Sequence, residues 1–270
     1  MPEAMLATCL AVLAVGLSVA REPVVPAPAM TRCASAADQL ARARRLRGLL
    51  SSEETSEARR REVLESYEAV RIHWGGTREA LEAMFRRGEL LRSLERWSEA
   101  RLCFDWVARR GEGTVFGYRA RLERGHVLRR SAREEAAEHE YTALWHDVNA
   151  PVAIRDRAAH WRAELLFRAG DTNGARSTWK QVASTARDPV ERVRAYRSLV
   201  RLAAQTDMRT RAAELVRRCR RELESVARER TERGSRVRRA LLLLRSQSDA
   251  QTKKCDVEVM THGKTSDVIP

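Results

Sequence analysis

The chain of 270 residues carries 51 Lys and Arg against 37 Asp and Glu, a formal net charge of +14, and only 5% of it is aromatic. Its hydrophobic part is mostly Ala, Leu and Val, and with 13 Gly and 7 Pro it has little loop chemistry and no glycine-rich phosphate cradle. Ala, Leu, Arg and Glu are strong helix formers, so the composition indicates an all-α chain. Its basic excess suits an acidic protein face, anionic lipid or nucleic acid, or reflects only the arginine codons of a GC-rich genome.

Residues Met5 to Ala20 form an apolar run of 16 residues that stops at Arg21. Crossing ~30 Å of hydrocarbon takes ~20 residues, so the run better suits the core of a signal peptide, with Ser18 and Ala20 as small residues before a cut. No Lys or Arg precedes it, a gap that the free amino group would fill if translation starts at Met5. The expectation is an exported, periplasmic or cell-envelope protein. A chain anchored in the membrane by an uncleaved 1–20 segment, or a cytoplasmic one, are the alternatives. A proline-rich linker follows over 21–33. Of the cysteines beyond the run (Cys33, Cys103, Cys219 and Cys255), none are spaced as Cys-x-x-Cys, which argues against a zinc or redox motif. Cys33 and Cys255 are the only pair in the termini that a disulfide would suit, whereas Cys219 falls on a core position.

Residues 34–77 read as an N-terminal helical cap or incomplete repeat. A helix spans about 34–50, Ser51 with Glu54 would cap the next, and Val63, Tyr67 and Val70 begin a pattern that recurs downstream. Four segments then align without gaps, starting at Gly88, Gly125, Ala163 and Val200. In each, an alanine follows after twelve residues (Ala100, Ala137, Ala175, Ala212) and a large residue after sixteen (Phe104, Tyr141, Trp179, Val216). An apolar residue follows after nineteen (Val107, Leu144, Val182, Cys219). The alanines step by 37, 38 and 37 residues. A fixed period of this size marks a repeat architecture. Small residues let two antiparallel helices approach closely, and the large residue lies one turn beyond the alanine on the same face, where it would fill the gap to the next hairpin. Leu91, Leu128 and Leu166 complete the first helix's buried stripe.

This pattern resembles the tetratricopeptide repeat (TPR) over residues 78–224, which implies a right-handed superhelical array of antiparallel helix hairpins, a TPR-like α-solenoid. Two departures stand out. The period exceeds the family's 34 residues, implying longer turns between hairpins, and Arg87, Arg124 and Arg162 stand where the family has leucine. Pro151 and Pro189 fall at turns between hairpins. Further on, twelve Arg and five Glu between Arg209 and Arg239 predict one basic helix running through 225–247 to the Leu241–Leu244 run, and a polar tail over 248–270.

No catalytic constellation is evident. His139 and His146 share a helix without a carboxylate to complete a metal set, Glu134–Glu135 point to different sides, and no nucleotide-binding or nucleophile motif occurs. No cofactor or metal is expected, and the chain reads as a non-enzyme. The resemblance implies instead that first helices line a concave groove in which partner segments lie. Carried over by register, the groove receives Glu82, Phe85, Glu89 and Arg92, then Arg119, Leu122, His126 and Arg129. It continues with Arg157, His160, Glu164 and Phe167, and ends with Arg194, Arg197, Arg201 and Ala204. The candidate partner-binding residues are Arg92, Arg119, His126, Arg129, Arg157, His160, Arg194, Arg197 and Arg201. They should make the groove strongly basic at its far end, where arginine's planar fork grips carboxylates or phosphates. The expected function is a scaffold binding an acidic or extended segment of a partner protein. The alternatives are a polyanion (nucleic-acid) binder and a regulatory subunit of an enzyme.

Overall fold

The computed structural model describes residues 30–50, 56–205 and 209–246. The signal-like run, most of the proline-rich linker, the Ser51–Glu54 cap, Cys255 and the 248–270 tail lie outside the described residues. Within them the chain is all-helical. An N-terminal pair, α1 (Ala36–Gly48) and α2 (Glu57–Trp74), precedes four hairpins. These are α3 (Arg78–Ser93) with α4 (Trp97–Arg110), α5 (Val115–Arg130) with α6 (Glu134–His146), α7 (Val152–Arg168) with α8 (Thr172–Thr185), and α9 (Pro189–Gln205) with α10 (Arg209–Arg228). An eleventh helix, α11, occupies 232–246. Each of the first nine helices packs on its successor, and first helices also touch one another across hairpins: α1 with α3, α3 with α5, α5 with α7, α7 with α9. This is the architecture of a TPR-like α-solenoid.

The turns repeat as faithfully as the core. Thr77 and Thr114 cap α3 and α5 by accepting from the backbone N–H of Ala80 and Gly117. Pro151 and Asp188 hold the same place before α7 and α9, four positions spaced by 37. Within hairpins, a left-handed residue recurs at Glu95 (φ 59°), Ala132 (φ 58°) and Gly170 (φ 90°). All turns within and between these hairpins from α3 to α9 are three to five residues long. The extra length of the period therefore sits in the helices and not, as expected, in longer turns.

Ala100, Ala137 and Ala175 are fully buried and Ala212 nearly so. Phe104, Tyr141 and Trp179 are wholly enclosed, and Val216 is partly so. Their packing differs from expectation. A Cβ built on Gly88 would lie 2.8 Å from the Phe104 ring, and one on Gly125 would lie 2.5 Å from that of Tyr141. The ring sixteen residues on fills the glycine notch of its own hairpin instead of the gap to the next. Contacts between hairpins come from each second helix against the next first helix, and from first helices against one another, as in the Phe85–Phe116 edge contact at 6.2 Å.

The arginines standing in place of leucine have a structural role. Arg87 approaches Glu68 at 3.5 Å and donates to the Cys103 sulfur. Arg124 bridges Asp105 of α4 (3.1 Å) and Glu140 of α6. Arg162 donates to Thr142 at 3.0 Å and lies near Glu138. Each ties a first helix to the second helix before it, and the acceptors Glu68, Asp105 and Thr142 are themselves spaced by 37. Cys219 is fully buried, which pushes its thiol up to about 12. Cys33 is a free thiol in the described residues.

The expected single basic helix over 225–247 is interrupted. α10 ends at Arg228, where Arg238 donates to the carbonyls of Ala227 and Glu229. Thr231 restarts the chain by capping the Gly234 N–H at 3.1 Å. A side chain at Gly234 would strike the Glu229 carbonyl at 2.2 Å, so glycine permits this tight reversal.

A left-handed conformation costs a non-glycine residue roughly 1–2 kcal/mol. Ala132→Gly should therefore raise stability by about 1 kcal/mol, and Gly170→Ala should lower it by a similar amount. Urea denaturation midpoints check both.

Candidate partner-binding groove

All nine candidate residues sit on first helices, and cross-hairpin contacts define their common face. Arg119 of α5 lies over the Phe85 ring at 4.7 Å. Arg92 of α3 approaches Glu123 of α5 at 3.3 Å. Arg157 of α7 and Arg194 of α9 both hold one oxygen of the fully buried Glu191, at 3.1 and 2.7 Å. Arg201 of α9 reaches back to both Glu164 oxygens of α7 at 2.8 and 2.7 Å.

These pairings correct the expected charge gradient. The far end of the groove holds four candidate arginines, but Glu164 and Glu191 are interleaved with them and pair with three, offsetting two of the charges. Paired charges held between packed helices fix the angle between hairpins, so several of these arginines act first as mortar. Arg197 lines the same cleft as Arg194 and Arg201.

That cleft is the most site-like part of the face, with a volume of about 380 Å³ between α7 and α9. Its walls are His160, Trp161, Glu164 and, from α9, the arginines and Ser198. Trp161 is its centre. His126 meets the indole edge-on at 5.2 Å, His160 does so at 5.7 Å, and Arg129 stacks over it at 4.4 Å. Ser198 donates to Glu164 at 2.8 Å. The His160 Nδ1 is buried without a hydrogen-bond partner.

Burial favours the neutral form of both groove histidines. Burial, reinforced by Arg129, Arg92 and Arg157, pushes His126 down to about 3. Its Nδ1 is linked to the Tyr141 hydroxyl at 2.7 Å, so the groove and the ring in the Gly125 notch share one hydrogen bond. Burial also lowers His160, with Glu164 and Glu191 opposing and Arg194 and Arg201 assisting.

Register carried over from the repeat did not reach Trp161, Glu123 and Ser198, which stand two residues before the small position. They lie one helical turn behind the residues that follow it, such as His126 after Glu123, and so share that face. Glu191 was missed because a lone glutamate early in α9 gives no signal of being buried. Among the described residues, no group of three or more His, Cys, Asp or Glu is placed to hold a metal ion.

Comparison with known proteins agrees with the fold. No protein-family model matches the sequence, and no curated protein matches it in a sequence comparison. Among solved structures, the chain is similar to a Podosopora anserina protein described as a kinesin light chain with nearly identical TPR-like repeats. That match has a TM-score of 0.52 and 15% identity over 72% of this chain and 96% of that one. MamA (TM-score 0.48, 12% identity, 72% and 97% covered) and BtubC from P. vanneervenii (0.47, 12%, 74% and 95%) are further matches. By fold, this chain is a TPR-like repeat protein.

A histidine whose folded pKa lies below its unfolded value removes stability as pH falls, because the unfolded chain takes the proton first. For His126 the loss begins near pH 6.5 and grows toward pH 3, reaching about 2 kcal/mol at pH 5. His126→Gln should flatten that part of the slope. Urea midpoints at pH 7.5 and 5.0 for both proteins give the comparison.

Proposed function

We propose that the chain is a non-catalytic scaffold whose first-helix groove holds an acidic, extended segment of a partner protein. The observation that carries this reading is the Trp161 cleft. Tryptophan and arginine are the side chains most enriched at energetic centres of protein interfaces. Here a half-buried indole is pre-oriented by two histidines and a stacked guanidinium, beside a buried imidazole nitrogen that lacks a partner. A carboxylate entering the cleft would meet Arg197, and an apolar side chain would cover Trp161. The neighbouring structures share the TPR-like scaffold, which in general mediates protein–protein interaction.

The apolar run at 5–20 supports placing this scaffold outside the cytoplasm, in the cell envelope. A fusion of residues 1–33 to a reporter active only after export checks that placement, and an inactive reporter contradicts it. Nucleic-acid binding is less well supported. Single-strand binders offer successive aromatic platforms, whereas the Trp161 cleft presents one indole.

The test uses fluorescent acidic peptides of extended conformation, with neutral ones of equal length as controls, titrated against the full chain. Arg157 and Arg194 are poor choices for mutation because they hold the buried Glu191. Trp161→Ala and Arg197→Glu are better. Each should weaken acidic-peptide binding roughly tenfold or more while leaving helicity intact. Raising salt from 50 to 200 mM should cost far less than the ~10³–10⁵ expected for a ligand held by 6–10 phosphate contacts. Binding that neither substitution alters would overturn the groove assignment.

A further inference from the structure

The end of the array offers a second surface, remote in sequence from the Trp161 cleft. α10 and α11 enclose a cleft of about 610 Å³. α10 contributes a stripe that includes Arg217, Arg220 and Arg221, continuing to Ala227 and Arg228. α11 contributes Arg238, Leu241, Leu242 and Arg245, at the i, i+3, i+4 and i+7 spacing of one helix face. Six arginines and a single glutamate line the cleft. Glu224 is already paired with Arg228 at 2.7 Å, and Arg238 caps α10. Arg217, Arg220 and Arg221 form no salt bridge with any described residue.

α11 follows α10 in the place of a further first helix, its inner face closed on the array by the buried Val237 and Leu244. Among the described residues no second helix follows to cover its outer side, where Leu242 and Leu243 are 66% and 55% exposed. End repeats of a solenoid ordinarily carry a polar outer face. This one instead combines exposed leucines with unpaired guanidinium groups.

We infer that the α10–α11 cleft is a docking site for an acidic amphipathic helix of a partner protein, which packs against the side of α11 that no described second helix covers. An apolar stripe on that helix would cover Leu241, Leu242 and Ala227. Carboxylates spaced three and four residues apart would meet the α10 arginines, which themselves recur at that spacing. Charge complementarity selects this occupant. A second copy of the chain would bring the same cations against these, and a flat anionic bilayer would engage a protruding basic face rather than a trough between two helices.

The probe is a labelled synthetic helix of about 18 residues with a leucine stripe flanked by glutamates, titrated into the full chain. A peptide of identical composition, permuted to erase the stripe, is the control. The designed helix should bind roughly tenfold or more tighter than the permuted one. Arg217→Glu combined with Arg221→Glu, and separately Leu242→Asp, should each weaken it to a similar extent. All three positions face solvent or the open cleft, so helicity should hold, and circular dichroism checks this. Trp161→Ala should leave this binding unchanged, which separates the site from the groove.

Equal affinity for the two peptides, insensitivity to both α10–α11 variants, or loss on Trp161→Ala would overturn the assignment. Three other results would assign the cleft elsewhere and likewise overturn it. One is cosedimentation with phosphatidylglycerol vesicles that the arginine reversal abolishes. Another is a concentration-dependent dimer that Leu242→Asp dissolves. The third is peptide binding that appears only after removal of residues 247–270.

Discussion

An aromatic ring seated in a notch where a helix lacks a side chain sets the geometry of this molecule. At Gly88 and Gly125 the missing Cβ is the space that Phe104 and Tyr141 occupy, and a methyl group there would fall inside van der Waals contact. The ring is delivered sixteen residues later because a three-residue turn reverses the chain and returns the second helix antiparallel to the first. Once that distance is fixed, the alanine one turn before the ring is enclosed and the next hairpin can lie against the pair. Protein interiors are close-packed and deform little, so repetition of one tight contact every 37 or 38 residues produces an extended array.

Polar interactions act at the next level, between hairpins. The Arg87, Arg124 and Arg162 series ties first helices to the preceding second helices on one side. Glu164, Glu191 and their arginines tie first helices together on the groove side. Exposed ion pairs contribute little individually, but most of these have one partner largely buried, where an unpaired charge would be costly. The large basic excess is thus not spread evenly in its consequences. Through the middle of the array much of it is matched by carboxylates, whereas Arg217, Arg220 and Arg221 of α10 form no salt bridge with a described residue. A polyanion reading drawn from net charge alone misses that difference.

The repeat was legible because small, large and apolar residues recur in register four times, and chance does not sustain such a pattern. Ala100, Ala137 and Ala175 accordingly sit where spacing placed them, with no exposed surface. The partner of each ring was not legible, since spacing along one chain cannot tell a contact within a hairpin from one between hairpins. Nor was the break at Glu229–Thr231. It depends on Arg238 folding back onto carbonyls eleven and nine residues earlier, a long-range cap with no local signature. Register placed the candidate residues along one face of the first helices but gave no sign of how they pair. Trp161 stands outside the register carried over from the repeat, and the carboxylates that pair the arginines lie a hairpin away in sequence. Two separated surfaces, a mixed aromatic groove and a basic terminal cleft, would let the proposed scaffold hold more than one segment at once.

The central claim, that a ring in a glycine notch fixes the α3–α4 and α5–α6 hairpins, is tested most directly by a double-mutant cycle on Gly125 and Tyr141. In an otherwise intact helix, glycine to alanine gains about 1 kcal/mol of helix propensity, so steric conflict with the ring must reverse that sign here. Equilibrium urea unfolding of Gly125→Ala, Tyr141→Ala and the pair measures the coupling. The account predicts that Gly125→Ala destabilises the protein when Tyr141 is present and becomes neutral or stabilising when the ring is gone. The same effect in both backgrounds would mean that the ring does not occupy the notch, and the proposed basis of the array would be contradicted.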